Sequence, residues 1–163
     1  MTKKALADYV SIYKEQLDKG DIQVAYRELV KYVFSLRTYL SGSLSYSFGN
    51  ILQGYMDYTY FYYTNDFLKS RKIRLTIVLN HEKMRFELWL VGQNADIQKK
   101  YWNILKSTKW NKNQPTMPKY SVLEAVLAEN PDFNDLQSLT REIEKEAVHQ
   151  SEKIIDFLKN HSA

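Results

Sequence analysis

KIRLTIVL at 72–79, NHEK at 80–83 and MRFELWLV at 84–91 form one continuous stretch, and its reading decides how this chain folds. Both flanks alternate with period 2, as half-buried strands do. Closing the chain over the polar tetrad sets Leu79 opposite Met84, so that Ile77 faces Phe86, Leu75 faces Leu88 and Ile73 faces Leu90. The other face pairs Val78 with Arg85, Thr76 with Glu87 and Arg74 with Trp89. A slip of one residue would move the Ile/Leu/Phe set onto the face of Arg74, Arg85 and Glu87, so the register is strongly specified. Leu75, Ile77, Phe86 and Leu88 are therefore expected in the core.

Working outward, 163 residues suffice for one domain and are marginal for two. A domain of this size buries roughly 70% of the surface its unfolded chain exposes and needs no metal or disulfide staple. With no cysteine, disulfides, thiolate nucleophiles and thiolate metal sites are excluded. The start, MTKKALADYV, turns amphipathic at once, and no run approaches the ~18 apolar residues of a membrane helix. A soluble cytoplasmic protein with no membrane partner is the expectation. The net charge is +4, with lysines gathered around 69–74 and 99–119. That excess makes a weak case for nucleic acid, and lysines scattered on solvated helix faces explain it more simply. The thirteen tyrosines are the odder feature, with Tyr55, Tyr58, Tyr60, Tyr62 and Tyr63 crowded together. Such crowding suits a core or an interface whose hydroxyls reach polar partners.

Residues 4–18 place Leu6, Tyr9, Val10, Tyr13 and Leu17 on one helical face. Gly20 ends that helix and Asp21 caps a second, whose stripe is Ile22, Tyr26, Leu29, Val33, Leu36 and Leu40. The two read as an antiparallel helical hairpin. Residues 41–54 lose periodicity and read as a long loop of the kind that often serves as a lid or binding segment. YMDYTYFYY at 55–63 reads as a strand with Met56, Tyr58, Tyr60 and Tyr62 on one face and Thr59, Phe61 and Tyr63 on the other. A helical turn at 66–68 leads into the hairpin. Gly92 stops the last strand, and Asn94 or Asp96 caps a helix to about 107 that buries Ile97, Tyr101, Ile104 and Leu105. After a polar loop at 106–119, residues 121–128 read as strand or short helix, with length and alternation favouring strand. Asn134 or Asp135 caps a last helix to about 159, striped by Leu136, Leu139, Ile143, Ala147, Ile154 and Leu158. The expectation is one α+β domain over 1–163. It has a three-stranded antiparallel meander, with 121–128 offering a fourth strand, packed by about four helices in an αβββαβ-like order.

That order is the one found in the restriction-endonuclease-like core, which needs an acid on its second strand and Glu/Asp-x-Lys on its third to hold Mg²⁺ and orient water. Here the second strand has no acid, and the third reads Glu87-Leu88-Trp89, with tryptophan where lysine would stand. His81, His149 and His161 show no zinc spacing, and no nucleophile elbow or phosphate-binding glycine loop appears. No metal, cofactor or catalytic residue is assigned. What remains is the polar face of the meander, Arg74, Thr76, Arg85, Glu87 and Trp89, joined by Asp57 or the tyrosines of the first strand. The candidate ligand-binding residues are Asp57, Tyr58, Arg74, Arg85, Glu87 and Trp89. As a ligand surface, its arginines would meet an anion and its aromatics would stack an organic group. As a structural face, Arg74 or Arg85 would pair with Glu87, and Arg74 would lie on Trp89. Cross-strand pairing accounts for these residues without a ligand, and the structural reading is favoured.

Five segments carry a resemblance: YKEQL at 13–17 followed by KGDIQ at 19–23, GYMD at 54–57, RFELWL at 85–90, YW at 101–102 and ENPDF at 129–133. Together they resemble a family of small bacterial proteins, domain of unknown function seven thousand. The resemblance implies a single-domain bacterial cytoplasmic protein and brings no activity, cofactor or catalytic residue. The function expected is a non-catalytic binding or protein-interaction domain that self-associates. The alternative is a degenerate nuclease-like protein that binds nucleic acid without cleaving it.

Overall fold

The computed structural model describes residues 2–161. The hairpin is present as β3 (Ile73–Asn80) and β4 (Arg85–Gly92), joined by a loop of four residues, His81 to Met84. Leu75, Ile77, Phe86 and Leu88 are all buried, as the alternation predicts. The cross-strand partners differ from the expected ones by two residues. Asn80 joins the ladder opposite Arg85, so Leu79 faces Phe86, Ile77 faces Leu88 and Leu75 faces Leu90. On the other face Val78 pairs with Glu87, Thr76 with Trp89 and Arg74 with Val91. The turn explains the shift. The Asn80 side chain accepts a hydrogen bond from the Lys83 N–H at 3.1 Å, and Met84 closes the loop in the left-handed region at φ 47. A shift of two preserves every side chain's face, which is why the burial pattern survives it.

The sheet has five antiparallel strands in the order β1-β2-β3-β4-β5, rather than the three or four expected. The extra one, β1 (Ser47–Leu52), occupies the stretch read as a loop. It pairs with β2 (Tyr58–Thr64) across an irregularity between Phe48 and Ile51. That bulge sets Gly49 and Asn50 against the single residue Tyr62, one residue extra on β1, and breaks the period-2 signal. β1 is held by its rings: Phe48 stacks on Tyr63 at 5.4 Å between centroids. β5 (Leu123–Ala128) confirms the strand reading of 121–128 and runs antiparallel to β4.

Among the described residues five α-helices accompany the sheet. α1 (Leu6–Lys19) and α2 (Asp21–Ser43) meet at Gly20, which is left-handed at φ 80 and serves both helix ends. α1 buries none of its residues, so its expected stripe faces solvent. The second half of α2 buries Tyr32, Val33, Leu36 and Leu40. α3 (Asp66–Ser70) is the expected helical turn, capped by Asn65. α4 (Ala95–Leu105) is capped by Asn94 and sends Tyr101 and Leu105 into the core. α5 (Leu136–Asn160) is capped by Asp135 and buries Leu139, Ile143, Ala147, Ile154 and Leu158, while Leu136 at its start is exposed.

One core lies between the helices and one face of the sheet, where Phe61, Tyr63, Leu75, Ile77, Leu79, Phe86, Leu88 and Leu90 meet α2 and α5. Two hydroxyl pairs cross that core. Tyr63 Oη and Ser151 Oγ lie 2.6 Å apart, and Tyr32 Oη and Thr140 Oγ1 2.9 Å apart. Each satisfies a phenol that would otherwise be stranded. The opposite face of the sheet carries no helical layer of this kind, and the candidate site lies there.

Candidate functional site

The ladder dictates what the second face carries. Alternation puts Tyr58, Tyr60 and Tyr62 of β2 beside Arg74, Thr76 and Val78 of β3, then Arg85, Glu87, Trp89 and Val91 of β4, and Glu124 of β5. This face divides into two halves with different chemistry.

One half is closed upon itself. Glu87 is buried, and its Oε2 accepts from Arg85 Nε at 2.6 Å and from Asn80 Nδ2 at 3.3 Å. Its Oε1 accepts from Trp89 Nε1 at 2.9 Å. Arg85 reaches out a second time, donating from Nη1 to Glu129 at 3.1 Å. The Arg85–Glu87 pair is one of the two expected in the structural reading, whereas Trp89, expected under Arg74, bonds to Glu87 instead. Beside it, burial pushes the Glu124 carboxyl above its ordinary range. The hydrogen bond from Ser121 Oγ, 2.9 Å away, opposes that shift, and the nearby Glu87 charge adds to it.

The other half opens into a cleft of about 630 Å³. Its floor and walls include Tyr58, Tyr60, Tyr62, Arg74, Thr76 and Trp89, with Tyr120 reaching in from the loop before β5 and Asn94, Ala95 and Gln98 from the start of α4. The aromatic rings support one another edge to face, Tyr58 against Trp89 at 5.0 Å and Tyr60 against Tyr62 at 5.5 Å. Burial pushes the Tyr58 and Tyr60 phenols up, which keeps them neutral donors. Arg74 is exposed and its guanidinium carbon lies over the Tyr62 ring, 3.7 Å from the centroid. It is not on Trp89, because the two-residue shift places Val91 opposite it. Among the described residues its guanidinium makes no ion pair. Thr76 sits between Tyr62 and Trp89 in the ladder, is 1% exposed, and its Oγ1 has no hydrogen-bond partner. Buried hydroxyls are nearly always satisfied, so this one stands out.

Of the expected site residues, Asp57, Tyr58, Arg74 and Trp89 line the cleft, whereas Arg85 and Glu87 belong to the closed half. Asp57 is at the rim in a structural role. Its Oδ1 accepts from the Tyr55 and Tyr58 N–H groups at 2.8 and 2.7 Å, and these bonds hold its carboxyl below the usual range. They fasten the β1–β2 turn, where Gly54 is left-handed at φ 73 and a Cβ would collide with the Tyr58 carbonyl oxygen. Tyr120 and the start of α4 were missed by the sequence reading. The second had a signal, because a helix capped at Asn94 must begin where β4 ends. Tyr120 had none.

A second groove, about 590 Å³, runs between α2 and α5 beside Tyr32, Tyr39 and Thr140. Its two tyrosine hydroxyls already have partners: Tyr32 with Thr140, and Tyr39 with Glu144 at 3.2 Å. Among the described residues no group of three or more acidic or histidine side chains is placed to hold a metal ion. No helix among them is long and apolar enough to cross a membrane.

No curated protein and no solved structure matches the chain. A family model does, over residues 6–158, which is nearly the whole sequence. The chain belongs to the family described as Domain of unknown function (DUF7000).

Proposed function

We propose that this protein is a non-catalytic binding protein that takes a small organic ligand in the cleft on the open sheet face. The observation that carries this reading is the cleft itself, lined by Tyr58, Tyr60, Tyr62, Trp89 and the exposed Arg74, with Thr76, whose buried hydroxyl has no hydrogen-bond partner, in its lining. The cleft volume falls within the ~300–1,000 Å³ of small-molecule sites, and its aromatic lining with a few polar groups is their usual composition. Supporting a non-catalytic role, the carboxylates that acid–base or metal chemistry would use are engaged elsewhere. Glu87 is held by Arg85, Asn80 and Trp89, and Asp57 by its own turn. The same engagement weighs against a nuclease-like site built on Glu87. The test is a fragment screen by two-dimensional amide NMR. Binders should move the resonances of Thr76, Trp89 and Ala95 together, and a diverse library that moves none of them would reject the reading.

A second reading, self-association through a second copy of the chain, is favoured by α1. Leu6 is 79% and Tyr13 66% exposed there. Leu6, Val10, Tyr13 and Leu17 follow steps of four, three and four. That spacing reads the same in both directions, so two antiparallel copies of α1 would set Leu6 against Leu17 and Val10 against Tyr13, an isologous contact. Sedimentation equilibrium should give a dimer mass that Tyr13→Glu returns to monomer. A native monomer at high protein concentration would reject it.

A further inference from the structure

We infer that the ligand of the cleft is an organic anion bearing a planar ring, an aryl or heteroaryl carboxylate or phosphate, with its anionic group at the Arg74 end. The inference rests on the cleft reading above and adds the chemical class to it. Its basis is the polarity of the cleft from end to end. Arg74 lies opposite Val91, and the chain turns directly from the end of β4 into α4, so the guanidinium and the first turn of α4 share one end. Tyr58, Trp89 and Tyr120 gather away from it, with Tyr58 6.3 Å from Tyr120 between ring centroids.

Arg74 and the start of α4 both line this end of the cleft. The Arg74 guanidinium carbon lies 3.7 Å from the centroid of the Tyr62 ring, a cation–π contact, and among the described residues its N–H donors are not taken by an ion pair. At the start of α4, Asn94 Oδ1 accepts from Ile97 N–H at 3.0 Å and Asn94 O from Gln98 N–H at 2.9 Å. Of the N–H groups that precede the first intrahelical bonds, that of Ala95 belongs to a cleft-lining residue, and a helix start favours negative charge, an effect the Asp96 carboxylate of the same turn partly offsets. Two residues along β3 from Arg74 on the same face is Thr76, whose hydroxyl is unpaired and covered in the free protein, so a ligand reaches it by displacing a neighbouring side chain. A ring resting on the neighbouring tyrosines would complete the fit, since aromatic rings favour offset-stacked and edge-to-face contacts with one another. A polynucleotide fits less well, because it requires a run of cations along its backbone and the cleft lining offers two, Arg74 and Lys119.

The experiment is a set of NMR titrations of the full chain with adenosine monophosphate, phenyl phosphate and benzoate, against adenosine, benzamide and inorganic phosphate. Ring anions should move the Thr76, Trp89 and Ala95 resonances and bind at least about tenfold tighter than their neutral counterparts or phosphate alone, the scale of one charge-assisted contact. The phosphate and carboxylate arms identify which anion is preferred. Arg74→Gln should remove that advantage, and Thr76→Val should weaken ring anions while the amide spectrum stays folded. If neutral rings bind as tightly, or if Arg74→Gln changes nothing, the anion inference is overturned while the cleft reading stands. If no titrant moves the cleft resonances, or if shifts map elsewhere, both are overturned.

Discussion

Glu87 has both oxygens committed inside the protein, to Arg85, Asn80 and Trp89, and it is 2% exposed. Removing its charge leaves Arg85 facing a neutral amide. Breaking a fully buried pair costs about 3–5 kcal/mol, and the partial exposure of Arg85 should bring Glu87→Gln toward the lower end. A double-mutant cycle of Arg85 and Glu87 by chemical denaturation should show coupling, whereas one of Arg74 and Glu87 should show none. Coupling in the second cycle instead would mean that the register is the one first expected from the sequence. Glu124 gives a pH signature. Its folded pKa is raised from 4.5, so its contribution to stability is full below that value and is lost as pH rises through the folded pKa. Glu124→Gln should therefore raise the melting temperature at pH 7 and leave it unchanged near pH 3. A gain of equal size at both pH values would argue against burial as the cause.

At the scale of elements, alternation shows which face a side chain takes but not which residue it meets. A two-residue shift conserves the faces, so the sequence of 72–91 holds the core list and conceals the partners. The partners are chosen by the turn, through the Asn80 side chain and the left-handed Met84, and no periodicity reports either. β1 was illegible for a related reason, because its bulge at Gly49 and Asn50 interrupts the pattern that defines a strand. Within α2, Gly42 and the serines of the last turn suggested a break that packing of Leu36 and Leu40 overrides. Two caps were readable to within a pair of candidates, since Asn94 and Asp135 accept from Ile97 and Ser138 at 3.0 and 3.1 Å, whereas Asp21, expected to cap the second helix, is its first residue and the cap is Gly20, with no side-chain bond. Of the site, Arg74 and the tyrosines were legible as one face, but the division of that face into a closed and an open half was not. That division depends on which arginine reaches Glu87. Packing also separates the helices. Leu88→Ala should cost about 2–5 kcal/mol, whereas Leu6→Ala on unburied α1 should stay within about 0.5 kcal/mol in dilute solution. Equal losses would mean that α1 packs on the fold.

On the scale of the whole molecule, a five-stranded sheet has one face sealed by α2 and α5 and the other left with a cleft between aromatic side chains, a lone arginine and the start of α4. Strands that serve only stability would be expected to satisfy every buried polar group, and leaving a hydroxyl unpaired costs about 1–3 kcal/mol. Among the described residues two buried side-chain atoms carry that cost, Asn111 Oδ1 away from the cleft and the Thr76 hydroxyl, and Thr76 is the one that belongs to the cleft, where binding sites commonly trade stability for function. The measurement that tests this most directly is the unfolding free energy of Thr76→Val in the absence of ligand. The expected result is an unchanged or higher stability, by up to about 1 kcal/mol, because valine removes a hydroxyl that bonds to nothing. A loss of more than 1 kcal/mol would contradict it, since it would show that the Thr76 hydroxyl is already bonded in the free protein and is not held for a guest.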